Sequence, residues 1–270
     1  DGPTDLGAPV SVNASGVATL TTSALAAGSH TITADYSGTS TLQESSDSVD
    51  QVVNRVATAT VLTSSLNPST VGQSVTFTAT VTAGGSPVAS GTVQFSDGGS
   101  NLGAPIALAA DGTATFTTSG LVAGTHAIRA SFAATATHGA SSDDLDQVVD
   151  LAASLTTLTS SLNPSAFGDP VTFTATVTAA GAPVTSGDVT FSVDGTDVGT
   201  VTVSVAGVAT FTTASIGGGT HTVAARYLGT PALGVSSANL SQVVGQRASS
   251  TTVTSSLNPA AFGATVSFTA

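Results

Sequence analysis

Three histidines recur at a fixed spacing, and they are the side chains of this sequence best suited to acid–base or metal chemistry. His30, His126 and His221 lie 96 and then 95 residues apart, and each follows a glycine and a hydroxyl residue. A serine or threonine nucleophile would need such a base with an orienting carboxylate, and zinc would need several His, Cys or acidic ligands. The sequence has no cysteine and no carboxylate at a recurring position near the histidines. We therefore expect neither a catalytic site nor a metal site within a repeat.

A repeated glutamine raises the question of a covalent cross-link between strands. Gln51, Gln147 and Gln242 share the period of the histidines. A lysine–asparagine isopeptide is excluded because the sequence contains no lysine, whereas an ester between Gln147 and a first-strand threonine such as Thr58 stays open. A buried or edge glutamine that hydrogen-bonds to the backbone explains the same repetition, and we favour that interpretation.

Acidic residues gather near the end of one repeat and could suggest a calcium site. They are Asp143, Asp144, Asp146 and Asp150, and the next copy carries Ser236, Ser237, Asn239 and Ser241 instead. Calcium takes about six to eight oxygen ligands with several converging carboxylates. We interpret the run as a solvated strand end, and we expect no metal or other cofactor.

The overall composition excludes several classes of partner. Only 7% of residues are charged, the net charge is −12, and 40% of residues are apolar. So few cations cannot neutralise a nucleic acid or an anionic membrane surface. No apolar run reaches about 18 residues, so we expect no membrane insertion in this segment. The apolar content favours a folded chain, and its Thr, Val and Phe favour strands.

The chain is built from repeats of domain size. The string Ser-Ser-Leu-Asn-Pro occupies 64–68, 160–164 and 255–259, with the same 96- and 95-residue period. A period of this length matches one small domain and exceeds a solenoid unit. The repeat predicts four segments, two complete and two partial: 1–54, 55–150, 151–245 and 246–270. We expect the partial ones to be completed by a longer polypeptide or, less favoured, by strand complementation between copies.

Hydrophobic alternation within a repeat predicts strands. Val75, Phe77, Ala79 and Val81 share one face of such a strand, and threonines occupy the other face. About seven short strands separated by turn signals such as Asp97-Gly98 indicate a β-sandwich. The predicted fold class is all-β, with tandem immunoglobulin-like sandwich domains arranged end to end.

The quoted motifs resemble a known family. Ser-Ser-Leu-Asn-Pro followed by residues 72–81, together with residues 121–132, resembles the bacterial Ig-like domain repeats of large surface proteins and adhesins. The resemblance implies an Ig-like sandwich in an extracellular protein and a family without shared catalytic residues. One departure concerns an acidic Gly-Asp-x-Asn-Tyr stretch frequent in relatives, which is replaced here by Gly38-Thr39-Ser40-Thr41.

The resemblance also suggests a role for the histidines. In immunoglobulin domains a tyrosine near the start of a late strand hydrogen-bonds to the backbone of the adjoining corner. His126 occupies the corresponding place, two residues before Ile128. We predict that His30, His126 and His221 are structural corner residues.

These observations predict a non-catalytic structural stalk, spacer or filament element of a bacterial extracellular multi-domain protein. The alternative is an adhesin-type module that contacts a protein or glycan through sandwich loops such as 83–90 or 97–105. Stacking on a sugar would need exposed aromatic rings, whereas Tyr36 and Tyr227 align with Phe132 and are expected in the core. The expected partners are neighbouring copies or further repeats of the same protein, with a cell-surface ligand left open.

Overall fold

Alternating apolar and hydroxyl residues form the central strand of each complete repeat. In the computed structural model, which describes residues 1–270, the strand Val75–Ala83 buries its valines, Phe77 and Ala79 and leaves its threonines half-buried. The strand Val171–Ala179 repeats this pattern. All regular structure is β-strand, so there is no helix that could cross a bilayer. The predicted all-β class is confirmed.

The chain forms two compact units, and the first, Asp1–Asp150, contains twelve strands. They are β1 Gly28–Tyr36, β2 Ser45–Val53, β3 Ala59–Ser64, β4 Ser69–Thr70, β5 Val75–Ala83, β6 Ser86–Pro87, β7 Thr92–Asp97, β8 Ser100–Asn101, β9 Ile106–Ala107, β10 Thr113–Thr118, β11 Gly124–Phe132 and β12 Ser141–Asp150. One sheet has the order β10-β5-β3 with β6 beside β5, and the other has the order β4-β12-β11-β7-β8 with β9 beside β7. Where about seven strands were predicted for this repeat, the structure has six longer ones and four of only two residues.

The second unit, Leu151–Ala270, repeats the arrangement in its larger part. Its strands are β13 Leu155–Ser160, β14 Ser165–Ala166, β15 Val171–Ala179, β16 Ala182–Pro183, β17 Asp188–Val193, β18 Thr196–Thr202, β19 Val208–Thr213, β20 Gly219–Tyr227, β21 Ser236–Gly245, β22 Thr254–Ser255 and β23 Phe268–Thr269. The sheets are β13-β15-β16, with β19 beside β15, and β14-β21-β20-β17-β18. We call residues 55–150 and 151–245 the first and second complete repeats.

Each complete repeat has its own hydrophobic core between its two sheets. In the first repeat Phe77, Phe95 and Phe132 are fully buried, and the rings of Phe95 and Phe116 stack with centroids 6.0 Å apart. In the second repeat Tyr227 replaces Phe132 in the core, and its hydroxyl donates to the carbonyl of Ser186 at 3.0 Å. The expected burial of Tyr227 is therefore observed, whereas Tyr36, which was also expected in the core, is only half-buried on β1.

Residues 1–54 and 246–270 contain far less regular structure. Residues 1–54 contain one antiparallel pair, β1 with β2, and residues 246–270 contain the short pair β22 and β23. Leu20, Phe262 and Phe268 are exposed, as is expected for apolar faces without a second sheet. The four-part division of the chain remains our proposal.

The first strand of each complete repeat changes sheet part-way along. β3 pairs antiparallel with β5 in one sheet, and β4 then pairs parallel with β12 in the other. The crossing runs over residues 65–68, which belong to the repeated Ser-Ser-Leu-Asn-Pro string and end in a cis Asn67–Pro68 bond. The repeated string therefore lies where the first strand reaches the last strand.

Candidate functional site

Gln147 is the centre of a polar cluster that joins the first and last strands of its repeat. Its side chain is fully buried on β12. Ser64 donates its hydroxyl to Oε1 at 2.6 Å, and Nε2 donates to the carbonyl of Leu66 at 2.9 Å and to Oγ of Ser69 at 3.2 Å. A buried amide is costly unless its donors and acceptors are paired, and here both ends of the amide are paired.

Asn67 continues this connection along the same strand. Its Nδ2 donates to the carbonyl of Asp146 at 2.7 Å, and its Oδ1 accepts from the backbone N–H of Val148 at 3.0 Å. The side-chain amide thus takes the hydrogen-bonding position of a neighbouring strand, at the point where the chain is still crossing between sheets. We call Ser64, Leu66, Asn67 and Ser69 with Gln147 the strand interlock.

The second complete repeat contains the same interlock. Ser160 donates to Oε1 of Gln242 at 2.7 Å, Nε2 of Gln242 donates to the carbonyl of Leu162 at 2.9 Å, and Asn163 pairs with the backbone of Ser241 and Val243. In residues 1–54 the equivalent Gln51 is exposed, and its Nε2 donates to the carbonyl of Val52. The repeated motif and the repeated glutamine, which the sequence gives as separate signals, are therefore one cluster in both complete repeats.

Thr58, the threonine considered for an ester with Gln147, lies elsewhere. Its hydroxyl donates to the carbonyl of Gly139 and to Oγ of Ser141, each at 2.8 Å. Ser64 is the hydroxyl that meets Gln147, and it donates to the amide oxygen in an ordinary hydrogen bond. The alternative of a Thr58–Gln147 ester is therefore wrong, because the threonine is engaged in holding the start of the repeat to the 133–140 loop.

The three histidines make the same two contacts in every copy. Nδ1 of His126 lies 2.7 Å from Oδ2 of Asp97, and its Nε2 lies 2.9 Å from the carbonyl oxygen of Val122. His221 has Asp194 at 2.7 Å and the carbonyl of Gly217 at 3.0 Å. In the copy at residues 1–54, Asp1 and the carbonyl of Ala26 contact His30. We call each histidine with its carboxylate and its carbonyl a histidine corner.

The expectation that no carboxylate recurs near the histidines is wrong. Asp97 ends β7 and lies 29 residues before His126, while Asp194 lies 27 residues before His221. Antiparallel pairing of β7 with β11 brings the two residues together. The sequence does show an Asp-Gly turn at 97–98 and at 194–195. The strand pairing must be known, however, before either aspartate can be matched with its histidine.

Both ring nitrogens of His126 and of His221 face hydrogen-bond acceptors, which favours the doubly protonated ring. Partial burial works to lower the pKa of His126, but the bonds to the Val122 carbonyl and to Asp97 outweigh it and raise the pKa above its usual value. The pKa of His221 is raised chiefly by its hydrogen bond to Asp194. The pKa of Asp194 is lowered by that bond and by the backbone N–H of Thr222.

Comparison with known proteins decides the family. The profile of the bacterial Ig-like domain (group 3) matches residues 1–54, 62–150 and 158–245, which is most of the chain. The chain belongs to this family. No curated protein sequence matches it. The resemblance inferred from the motifs is therefore confirmed, and the chain is a module of the kind found in bacterial surface proteins.

Three solved structures have a related arrangement of strands. The fibronectin(III)-like modules of Clostridium thermocellum CbhA are 17% identical, with a TM-score of 0.31 over 69% of this chain and 95% of theirs. The D0–D1 domain of intimin is 20% identical, with a TM-score of 0.28 over 68% of this chain and 97% of that one. The Yersinia pseudotuberculosis adhesin InvE is 17% identical, with a TM-score of 0.39 over 68% of this chain and 58% of the adhesin.

The histidine corner of this Ig-like chain resembles part of a hydrolase triad but lacks its nucleophile. Asp97 orients the ring as the carboxylate of a triad does, yet Nε2 of His126 faces the backbone carbonyl of Val122 where a triad has a serine hydroxyl. A carbonyl oxygen has no proton to give up. The arrangement is therefore suited to fixing the ring and its neighbours.

The acidic residues predicted to form a solvated strand end are spread along β12, and two of the four make contacts within the fold. Oδ2 of Asp143 accepts from the backbone N–H of Leu62 at 2.9 Å, and the guanidinium of Arg129 pairs with Asp144 at 2.8 Å. Nowhere in residues 1–270 do three or more His, Asp or Glu side chains converge as metal ligands. Asp143 and Asp144 are thus engaged in contacts within the fold.

Proposed function

We propose that the chain is a non-catalytic stalk, spacer or filament element of a bacterial extracellular multi-domain protein and that its repeats carry tension. Family membership supports a surface-protein module. The observation that supports the stalk role is the strand interlock, which joins the first and last strands of each complete repeat. These are the two strands through which the polypeptide enters and leaves the repeat.

The direction of the pairing matters for this role. β4 and β12 are parallel, with Ser69 opposite Val149 and Thr70 opposite Asp150. Tension on the two ends of a repeat pulls parallel neighbours past each other, so the hydrogen bonds between them are loaded together in shear. The interlock adds the buried Gln147 contacts and the two Asn67 contacts to the same junction.

The beginning of the repeat is held as well. The backbone N–H of Val56 donates to the carbonyl of Thr137 at 2.8 Å, and the N–H of Gly139 donates to the carbonyl of Val56 at 2.9 Å. Ala152 makes the equivalent pair of bonds with Ala232 and Gly234 in the second complete repeat. The 133–140 loop and its copy thereby connect the start of each repeat to the hairpin that contains the last strand.

Single-molecule force spectroscopy on the full chain tests the proposal. We expect unfolding events from the two complete repeats, and a lower unfolding force for one of them in Asn67→Ala. Gln94→Ala is a matched control, because Gln94 donates only to the carbonyls of Phe95 and Gly103, away from the interlock. Unfolding forces that are equal in the wild type and in Asn67→Ala would contradict a tension-bearing interlock.

The proposal includes location and partners. We place the chain at the cell surface or outside the cell, with neighbouring copies or further repeats as its partners. The alternative adhesin role would act through loops such as 83–90 or 97–105. It is tested separately by exchanging these loops for those of the second repeat and measuring attachment of cells that display the protein.

A further inference from the structure

In both complete repeats the loop held by the histidine corner packs an apolar side chain against the hydrophobic core, and we call it the core-closing loop. In the first complete repeat residues 119–123 connect β10 to β11, and Leu121 of this loop packs against the core cluster. In the second complete repeat Ile216 takes this place and is itself a core residue, only 8% exposed. The carbonyl that meets the histidine belongs in each case to the next residue, Val122 or Gly217.

The aspartate that contacts the other ring nitrogen lies on a different element from the loop. Asp97 is the last residue of β7 and Asp194 directly follows β17, and the turn after β7 is held by the N–H of Gly98, which donates to the carbonyl of Ala127 at 3.1 Å. One imidazole ring therefore connects the core-closing loop on one side with the end of a central strand on the other. This double connection requires both ring nitrogens to carry a proton, since each faces an acceptor.

We propose that the histidine corners of the two complete repeats are proton-operated latches. The imidazolium of His126 or His221 holds the core-closing loop in place, and loss of one ring proton releases either that loop or the aspartate. A neutral imidazole has one N–H and cannot donate to a carboxylate and a carbonyl at once. The loop is the more easily released of the two, because the carboxylate is the stronger acceptor.

Few charged side chains other than the two aspartates lie near the imidazole rings of His126 and His221. Across the strand pair, His126 lies opposite the neutral Gln147, and residues 119–123 contain no titratable side chain. Asp146 lies opposite Ala127, on the exposed face of the sheet. His221 has an even simpler setting, since β21 carries no charged residue and Asp197 lies on β18 opposite Ser192. Asp97 and Asp194 are thus the charges that face the two rings.

The raised pKa of His126 and of His221 agrees with this geometry. The latch is independent of the proposed stalk function, since it concerns the closing of the core and not the load on the strand interlock. Its effect at the surface of a cell would be a repeat whose core-closing loop is held in mildly acidic surroundings and is released as the pH rises through the folded pKa of the histidine.

Nitrogen-detected NMR of the full chain tests the protonation state. We expect His126 and His221 to show two ring N–H signals each at mildly acidic pH and to lose one of them as the pH rises. Asp194→Asn should move that loss to lower pH for His221 and leave His126 unchanged. A neutral ring with one bare nitrogen at pH values below about 6.5, where an ordinary histidine is protonated, would overturn the proposal.

Thiol labelling tests the release of the loop, because the sequence contains no cysteine of its own. Ile216→Cys places a thiol in the closed loop, and Val205→Cys places one at a site that is 84% exposed in the same repeat. The ratio of the two labelling rates removes most of the pH dependence of the thiol itself. We expect the rate at position 216 relative to position 205 to rise about tenfold for each unit by which closing of the loop raises the pKa of His221.

Variants of the histidine separate the latch from a general loosening of the repeat. In His221→Gln the labelling ratio should be high at neutral pH and should no longer change between about pH 6 and pH 9. His126→Gln in the same background serves as the control, since it alters only the other repeat. A ratio that stays constant with pH in the wild-type background, or that rises equally in His221→Gln, would overturn the latch. If His221→Gln fails to fold, the shifted pH dependence expected for Asp194→Asn decides the question.

Discussion

Asn67 and Val148 are 81 residues apart in sequence and are joined by a hydrogen bond of 3.0 Å, in which the backbone N–H of Val148 donates to the side-chain oxygen of Asn67. The other end of the same amide donates to the carbonyl of Asp146. One side chain thus supplies the pairing that a neighbouring strand would normally supply. The second complete repeat places Asn163 against Val243 and Ser241 in the same way.

Removing this side chain should destabilise the first complete repeat. Asn67→Ala leaves an N–H and a carbonyl of β12 without their partners, and we expect a loss of about 1–3 kcal/mol in the free energy of unfolding. Urea unfolding of the full chain measures the loss, and Asn101→Ala on the two-residue edge strand β8 is the control. An equal effect of the two substitutions would mean that the amide contributes no more than a surface residue.

Truncation of the core should cost more than any surface change. Phe77 is fully buried between the sheets, and Phe77→Ala should lower the free energy of unfolding by about 3–5 kcal/mol through lost burial and a cavity. Phe268→Ala, at a phenylalanine that is 73% exposed in residues 246–270, should change it by less than about 0.5 kcal/mol. A small effect of Phe77→Ala would contradict its burial in the core.

The strands and the core could be predicted because they depend on local alternation. The pattern of apolar residues at 75, 77, 79 and 81 places these side chains on one face whatever the rest of the chain does. Turns also depend on local sequence and could be predicted. Asp111-Gly112 forms a turn in which Gly112 has a φ of 77°, a value that glycine adopts without strain.

The two candidate sites could not be predicted because their residues meet only through pairing between distant segments. The string at 64–68 and Gln147 recur with one period, yet their contact depends on the first strand crossing to the other sheet. The contact of Asp97 with His126 is hidden in the sequence for the same reason, since it depends on the register of β7 with β11. Residues with a shared period in a repeat are therefore candidates for mutual contact even at large separation.

Metal chelation should leave the stability of the chain unchanged. Asp143 is hydrogen-bonded to the backbone of Leu62 and Asp144 to Arg129, so two of the four acidic residues on β12 are already engaged within the fold. We expect the same melting temperature with and without EDTA and with added calcium, measured by differential scanning calorimetry. A rise of several degrees on adding calcium would show that the acidic residues bind it, and the strand end would then need a different interpretation.

The free energy of unfolding should fall on both sides of a range of mildly acidic pH. Folding raises the pKa of His126 and His221, so their stabilising effect is complete below the unfolded value of about 6.5 and is lost as the pH rises through the folded values. Folding lowers the pKa of Asp194 and Asp111, the latter through its hydrogen bonds with Thr113. That contribution is complete above the ordinary value of 3.8 and is lost as the pH falls through the folded values.

Urea unfolding at a series of pH values measures this dependence, and histidine variants assign its alkaline side. We expect the greatest stability between about pH 4 and pH 6.5 and a decline towards about pH 9. The double variant His126→Gln and His221→Gln should lose most of the alkaline decline. His138→Gln is the matched control, because Nδ1 of His138 meets only the hydroxyl of its neighbour Thr137 and the side chain takes no part in a histidine corner. Stability that increased from pH 6.5 to pH 9, or an alkaline decline that survived in the double variant, would show that the corner histidines do not bind their extra proton more tightly in the folded state.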